Sequence, residues 1–128
     1  MKTLRLANEL VYDGNKVTVT AALLISDSVE IEIEAGLDTG AELTVLNRVL
    51  ANRLGLKIES GEPISLGVVS GHSSIGYVHD VPMRVLGHEM TVRAVFCPDW
   101  DTDNFLGMEG FFDQTIIAFD HANHHIYY

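Results

Sequence analysis

The sequence has little cysteine and little positive charge, and both shortages narrow its possible functions. Cys97 is the single cysteine, which excludes a disulfide within the chain and fits a reducing compartment. Eight Lys and Arg residues stand against eighteen Asp and Glu residues, giving a formal charge of −10. An acidic chain of this kind is a poor match for nucleic acid or for an anionic membrane surface, so neither is expected as a partner.

The chain also lacks a long apolar run. Its longest apolar stretches fall far short of the roughly 20 residues that a membrane-spanning helix needs. The first residues show no apolar core followed by a cleavage site, so no secretory signal peptide is expected. These absences predict no membrane partner and a cytoplasmic location.

Length and apolar content predict one domain over residues 1–128. The chain has 128 residues, of which 47% are hydrophobic, and this is enough to form a core. It contains no low-complexity linker, and the tripeptide "DTG" occurs once, so no duplicated half is evident.

Short β segments separated by turn residues account for most of the chain. In "IEIEAGL", Ile31 and Ile33 alternate with glutamates, the pattern of a strand with one solvated face. A closing hairpin is predicted to turn near residues 120–123. The fold class expected is all-β and mostly antiparallel.

One or two short helices interrupt the strands. "LNRVLANRLGL" has leucines four residues apart, with Asn47 suited to cap the start and Gly55 the end, which predicts a helix over residues 47–54. "FLGMEGFFDQ", residues 105–114, is expected to contain a second short helix.

Asp38 stands between an apolar strand and the turn residues Thr39, Gly40 and Ala41. A threonine that can hydrogen-bond locally and a glycine that lets backbone N–H groups approach a carboxylate can hold an aspartate in a fixed orientation. Taken in isolation, the same residues also fit a plain turn in which the aspartate accepts backbone N–H bonds.

The segment Leu37-Asp38-Thr39-Gly40-Ala41 resembles the active-site signature of the retropepsin-like aspartic proteases. Other segments occur in that family's order along residues 17–128. "VVSGHSSIGY", residues 68–77, resembles the flap hairpin, Asn104 to Gly107 resembles the second apolar-apolar-glycine element, and "GMEGFFDQ" resembles the helix before the last strands. The resemblance implies a closed acid-protease-like barrel.

The resemblance also implies an aspartic endopeptidase that acts as a homodimer on a polypeptide. Each copy would supply one Asp38, and the two carboxyl groups would share a proton and activate a water molecule. Thr39 would brace the pair across the two-fold axis, and Gly40 would bring its N–H to Asp38. The catalytic residues expected are therefore Asp38, Thr39 and Gly40, with no metal and no organic cofactor.

Substrate contacts are expected from Ala41 and from the flap residues Ser70, Gly71 and His72. The terminal segments near residues 3–7 and 124–128 are expected in the sheet that joins the two copies. A function of another class stays open, because a domain of this fold could be a catalytically silent dimeric binding domain.

Three further sequence patterns are weaker indicators of function. "GHSSIG" comes close to the serine-hydrolase motif, but Ile75 stands where the last glycine should be. The aspartates at 99, 101 and 103 have calcium-loop spacing but lack the turn glycine, so an acidic solvated loop is preferred. The histidines at 121, 124 and 125 could bind a transition metal only adventitiously.

Overall fold

A computed structural model describes residues 3–69 and 72–128 of the chain. These residues form mainly β structure, with one five-residue α-helix. In chain order the elements are β1 (Glu9–Val11), β2 (Thr18–Ser26), β3 (Val29–Leu37), α1 (Val49–Arg53), β4 (Glu62–Val69), β5 (His72–Val85), β6 (His88–Phe96), β7 (Phe105–Leu106), β8 (Ala118–Asp120) and β9 (His125–Tyr127).

β2 and β3 form an antiparallel pair, and alternate residues of β3 face the core. Ala21 lies opposite Ile33, and both are buried, whereas the glutamates of β3 are exposed. This is the alternation predicted from "IEIEAGL". The largest fully buried side chains of the core are Leu23, Leu46, Met83, Phe96, Leu106, Phe111 and Ile126.

The larger sheet has six strands in the order β4, β5, β2, β3, β7, with β6 paired to β5. The all-β, mostly antiparallel class is confirmed; β3 and β7 are a parallel pair. The closed barrel expected from the sequence is wrong for residues 3–69 and 72–128, because no continuous strand joins β6 to β7.

Residues 43–46 cross the gap between β6 and β7. Val45 exchanges two backbone hydrogen bonds of 2.9 Å with Phe105 of β7. On its other side, Thr44 and Leu46 bond through their backbones to Val95 of β6, at 2.9 and 3.1 Å. These contacts are bridges at single residues rather than a strand, which is why the sheet stays open here.

The first predicted helix is present as α1, and the second is present only as a short 3₁₀ helix. The Asn47 side chain accepts a 3.0 Å hydrogen bond from the Val49 N–H at the start of α1, and Gly55 follows its end with φ +71°. Residues 105–114 contain β7 and the 3₁₀ helix at Phe112–Gln114. None of the helices in the described ranges has the length and apolar character needed to cross a bilayer.

The second sheet has three strands in the order β1, β9, β8. The predicted closing hairpin is confirmed, since β8 pairs antiparallel with β9 across a 3₁₀ turn at His121–Asn123. β9 is bonded on both edges within the chain, and Tyr128 exchanges backbone hydrogen bonds with Asn8. β9 therefore has no free edge with which to join a sheet between two copies.

Candidate active site

Asp38 follows β3 at the point where that strand meets β7. Leu37 pairs with Leu106 in the parallel register, and the Asp38 N–H donates to the Leu106 carbonyl at 3.0 Å. Because side chains alternate along a strand, Leu37 is buried in the core and Asp38 points outward. The fold therefore holds the backbone of Asp38 rigidly and leaves its carboxylate exposed.

The turn after Asp38 fixes the orientation of the carboxylate. The Gly40 N–H donates to Asp38 Oδ1 at 2.9 Å, and the Ala41 N–H donates to the Asp38 carbonyl at 3.1 Å. A Cβ at position 40 would lie 3.3 Å from Oδ1, so glycine permits this close approach. Thr39 is exposed beside the carboxylate.

Thr44 ties the Asp38 turn to the segment after β7. Its hydroxyl is buried, accepts a 3.0 Å hydrogen bond from the Gly107 N–H and donates one of 2.9 Å to the Glu109 carbonyl. A Cβ at position 107 would collide with the Leu43 carbonyl oxygen, so this approach requires glycine. The sequence analysis did not identify Thr44; its one signal is a threonine inside an apolar run.

Residues 98–104 form an acidic loop that is anchored to the start of α1. Arg48 pairs with Asp101 at 2.9 Å and donates to the Pro98 carbonyl at 2.8 Å. Asn47 donates its side-chain N–H to the Thr102 carbonyl at 2.7 Å, and its backbone N–H to the Asn104 side chain at 2.8 Å. These bonds hold the loop beside the end of β3.

A groove of about 980 Å³ lies against Asp38 and Thr39. One wall is the end of β3, and the anchored acidic loop forms another. The groove is lined by residues 15–18, 34–39, 49–50 and 102–105, together with Tyr12, Asn47, Phe119 and His121.

The predicted substrate-contacting residues occupy different places. Ala41 is half-buried, accepts a 2.9 Å hydrogen bond from the Met108 N–H and does not line the groove. Ser70 and Gly71 lie outside the described residues. His72 begins β5, and its backbone pairs with Val69 of β4, so the expected flap is an antiparallel β4–β5 hairpin where it is described.

The aspartates of residues 99–103 and the histidines of residues 121–125 do not form a metal site. Among residues 3–69 and 72–128, no three His, Cys, Asp or Glu side chains are grouped closely enough to hold a metal ion. His121 and His124 instead stack near Tyr12, whose hydroxyl lies 2.6 Å from His121 Nδ1.

Cys97 is the one thiol of the chain, and it is not activated. Burial raises its pKa, an effect that a hydrogen bond with Trp100 partly offsets. A buried thiol with a raised pKa carries little thiolate at neutral pH, and the thiolate is the nucleophilic form. Cysteine chemistry is therefore a poor candidate for the reaction of this chain.

Comparison with known proteins gives a family match and structural matches. Residues 14–109 match the family described as aspartyl protease. The crystal structure of a retropepsin-like aspartic protease from Rickettsia conorii superimposes with a TM-score of 0.64 at 15% sequence identity, covering 95% of this chain and 99% of that chain. No curated protein matches the chain. At this identity, the structural likeness shows a shared fold.

Proposed function

Since the chain belongs to the aspartyl protease family, we propose that it is an aspartic endopeptidase whose site forms when two copies bring their Asp38 carboxyl groups together. Residues 1–128 act in this proposal as one retropepsin-like domain that supplies half of the site.

The exposed, oriented carboxylate of Asp38 carries this proposal. The Gly40 N–H donates a 2.9 Å hydrogen bond to Asp38 Oδ1, and a groove of about 980 Å³ lies beside the carboxylate. Among the described residues, Gly40 is the only hydrogen-bond partner of this carboxylate. A single carboxylate cannot both accept a proton from water and donate one to a carbonyl oxygen, so a second acid group is required.

A second copy of the chain is the simplest source of that acid group. A two-fold axis beside Asp38 would place the same carboxyl group of each copy face to face in an isologous contact. Asp38 and Thr39 are both exposed on the outer side of the turn, where such an axis can pass. The Thr39 hydroxyl would then be free to hydrogen-bond across the axis.

The reaction follows from two carboxyl groups about 3 Å apart, which cannot both ionise and so hold one proton between them. The ionised carboxylate accepts a proton from a water molecule as the water oxygen bonds to the scissile carbonyl carbon. The protonated carboxyl donates its proton to the carbonyl oxygen. When the tetrahedral intermediate collapses, the C–N bond breaks and the amine leaves with a proton from the pair. This mechanism uses no metal and no organic cofactor.

The substrate in this proposal is a polypeptide bound in the groove. In this proposal the β4–β5 hairpin acts as a flap over the bound peptide, and Ser70, Gly71 and His72 contact the substrate. The expected contact of Ala41 with substrate is not part of this proposal, because its backbone N–H and carbonyl are bonded to Asp38 and Met108 and it does not line the groove.

Assembly is the first property to measure. Sedimentation of the chain, with and without a transition-state-mimicking aspartic protease inhibitor, should show a dimer or a monomer that the inhibitor pairs. A chain that stays monomeric when the inhibitor is present would contradict a site shared between two copies. It would favour a catalytically silent binding domain of the same fold.

Peptide cleavage between pH 4 and 7 tests the chemistry. Asp38→Asn should lose at least about 100-fold in kcat/KM, because the general acid–base pair is broken. Asp99→Asn is the matched control, since it removes an exposed carboxylate that does not line the groove. Equal cleavage by Asp38→Asn and the unaltered chain would refute the mechanism.

A further inference from the structure

We propose that Asp103 makes this site selective for peptides that carry a lysine or arginine close to the scissile bond. The inference rests on the proposed function and adds a substrate class to it.

Asp103 lines the groove on a segment that is fixed on both sides. Its neighbour Thr102 accepts a 2.7 Å hydrogen bond from Asn47, and its other neighbour, Asn104, accepts one of 2.8 Å from the same residue. The position of the Asp103 backbone is therefore fixed through the Thr102 carbonyl and the Asn104 side chain, and its exposed side chain lies at the groove.

The charge of Asp103 is not neutralised within the described part of the chain. Arg48 forms its ion pair with Asp101, at 2.9 Å, and Asp103 has no ion-pair partner among these residues. Asp103 is also exposed, so a cation in the groove can reach it.

A second carboxylate near this segment belongs to Glu34, whose side chain accepts a hydrogen bond from the Thr20 hydroxyl. β7 runs parallel to β3, with Gly36 opposite Phe105. The Asn104 side chain donates to the Glu34 carbonyl at 3.2 Å, which holds the two segments together. Glu34 also lines the groove, where Lys16 is the only lysine or arginine among the described lining residues.

The groove is continuous between these acids and Asp38. Gly36 lies between Glu34 and Asp38 on the same face of β3, and a Cβ there would find its nearest neighbour at 3.9 Å. Four residues of strand span about 13 Å. An extended peptide has the same rise per residue. The lysine or arginine of the substrate should therefore lie within about four residues of the scissile bond.

Paired peptides that differ at one position test this inference. At each of four positions on either side of the junction, lysine is compared with norleucine and with glutamate, using the dimeric protein. At one or more positions, kcat/KM should favour lysine over norleucine by about two- to fivefold at low salt, the effect of one exposed ion pair. The preference should shrink as salt is added, because the charges are screened.

Two variants identify the residue responsible. In Asp103→Asn the lysine-to-norleucine ratio should fall toward one, whereas the matched variant Asp99→Asn should keep it. Loss of the ratio in both variants, or its persistence in Asp103→Asn, would overturn the assignment to Asp103.

Failure of the selectivity attributed to Asp103 can be distinguished from failure of the Asp38 mechanism. The same lysine and norleucine peptides, made with a reduced amide at the junction, report binding by fluorescence anisotropy whether or not cleavage occurs. Cleavage that is unaffected by Asp38→Asn would refute the mechanism alone. Equal affinity of the two reduced peptides, together with no lysine preference in cleavage, would refute the role of Asp103 alone.

Discussion

Replacing Thr44 with valine tests whether one buried hydroxyl holds the Asp38 turn against the segment that follows β7. Valine has nearly the same shape but no hydroxyl group. Thr44 is 1% exposed, and its hydroxyl binds the Gly107 N–H at 3.0 Å and the Glu109 carbonyl at 2.9 Å. Thr44→Val removes both bonds while it keeps the packing.

The expected loss of stability follows from the two bonds. The buried Gly107 N–H would be left without a partner, which costs about 1–3 kcal/mol, and the bond to Glu109 contributes about 0.5–1.5 kcal/mol. The free energy of unfolding should therefore fall by about 1.5–4.5 kcal/mol. With a urea m-value of about 1–3 kcal/mol per molar, the midpoint should drop by about 0.5–4 M.

Urea unfolding followed by the fluorescence of Trp100 measures this change. Thr44→Ser keeps the hydroxyl and should lose only about 1 kcal/mol for its missing methyl group. Thr91→Val alters an exposed threonine on β6 and should change stability by less than about 0.5 kcal/mol. A loss below about 0.5 kcal/mol for Thr44→Val, or equal losses for Thr44→Ser and Thr44→Val, would refute the reasoning.

Two other predictions concern the groove and the last hairpin. The variant Gly36→Val should fold, because a Cβ at position 36 would have its nearest neighbour at 3.9 Å. The valine side chain should narrow the groove and raise KM by about tenfold. An unchanged KM in steady-state kinetics would contradict this. The Asn123 side chain, 2.9 Å from Asp120, lowers the pKa of Asp120 below its ordinary value of 3.8. The resulting stability is present above about pH 4 and is lost as the pH falls through the lowered pKa. Asn123→Ala should therefore raise the pKa of Asp120, measured by NMR titration, and its destabilising effect at pH 6 should shrink as the pH falls through the lowered pKa. An unchanged pKa would count against this hydrogen bond.

The sequence by itself determined the features that depend on neighbouring residues. The alternation around Ile31 and Ile33 gave a strand with one solvated face, as the structure has it. Asn47 and Gly55 mark the two ends of a short helix, because capping needs only the residues adjacent to the helix. The turn after Asp38 could be identified for the same reason, since Gly40 lies two residues from the carboxylate that it binds.

Only the tertiary structure decided the features that depend on residues far apart in the chain. Residues 43–46 meet β6 and β7 at single bridges, so the expected barrel does not close, and no local pattern encodes such a crossing. The bond between Thr44 and Gly107 joins residues 63 positions apart. Asp103 belongs to what the sequence indicated was a solvated acidic loop. It reaches the groove because Asn47, more than fifty positions earlier, fixes both of its neighbours, and hydrogen bonds of this range form only once the strands have packed.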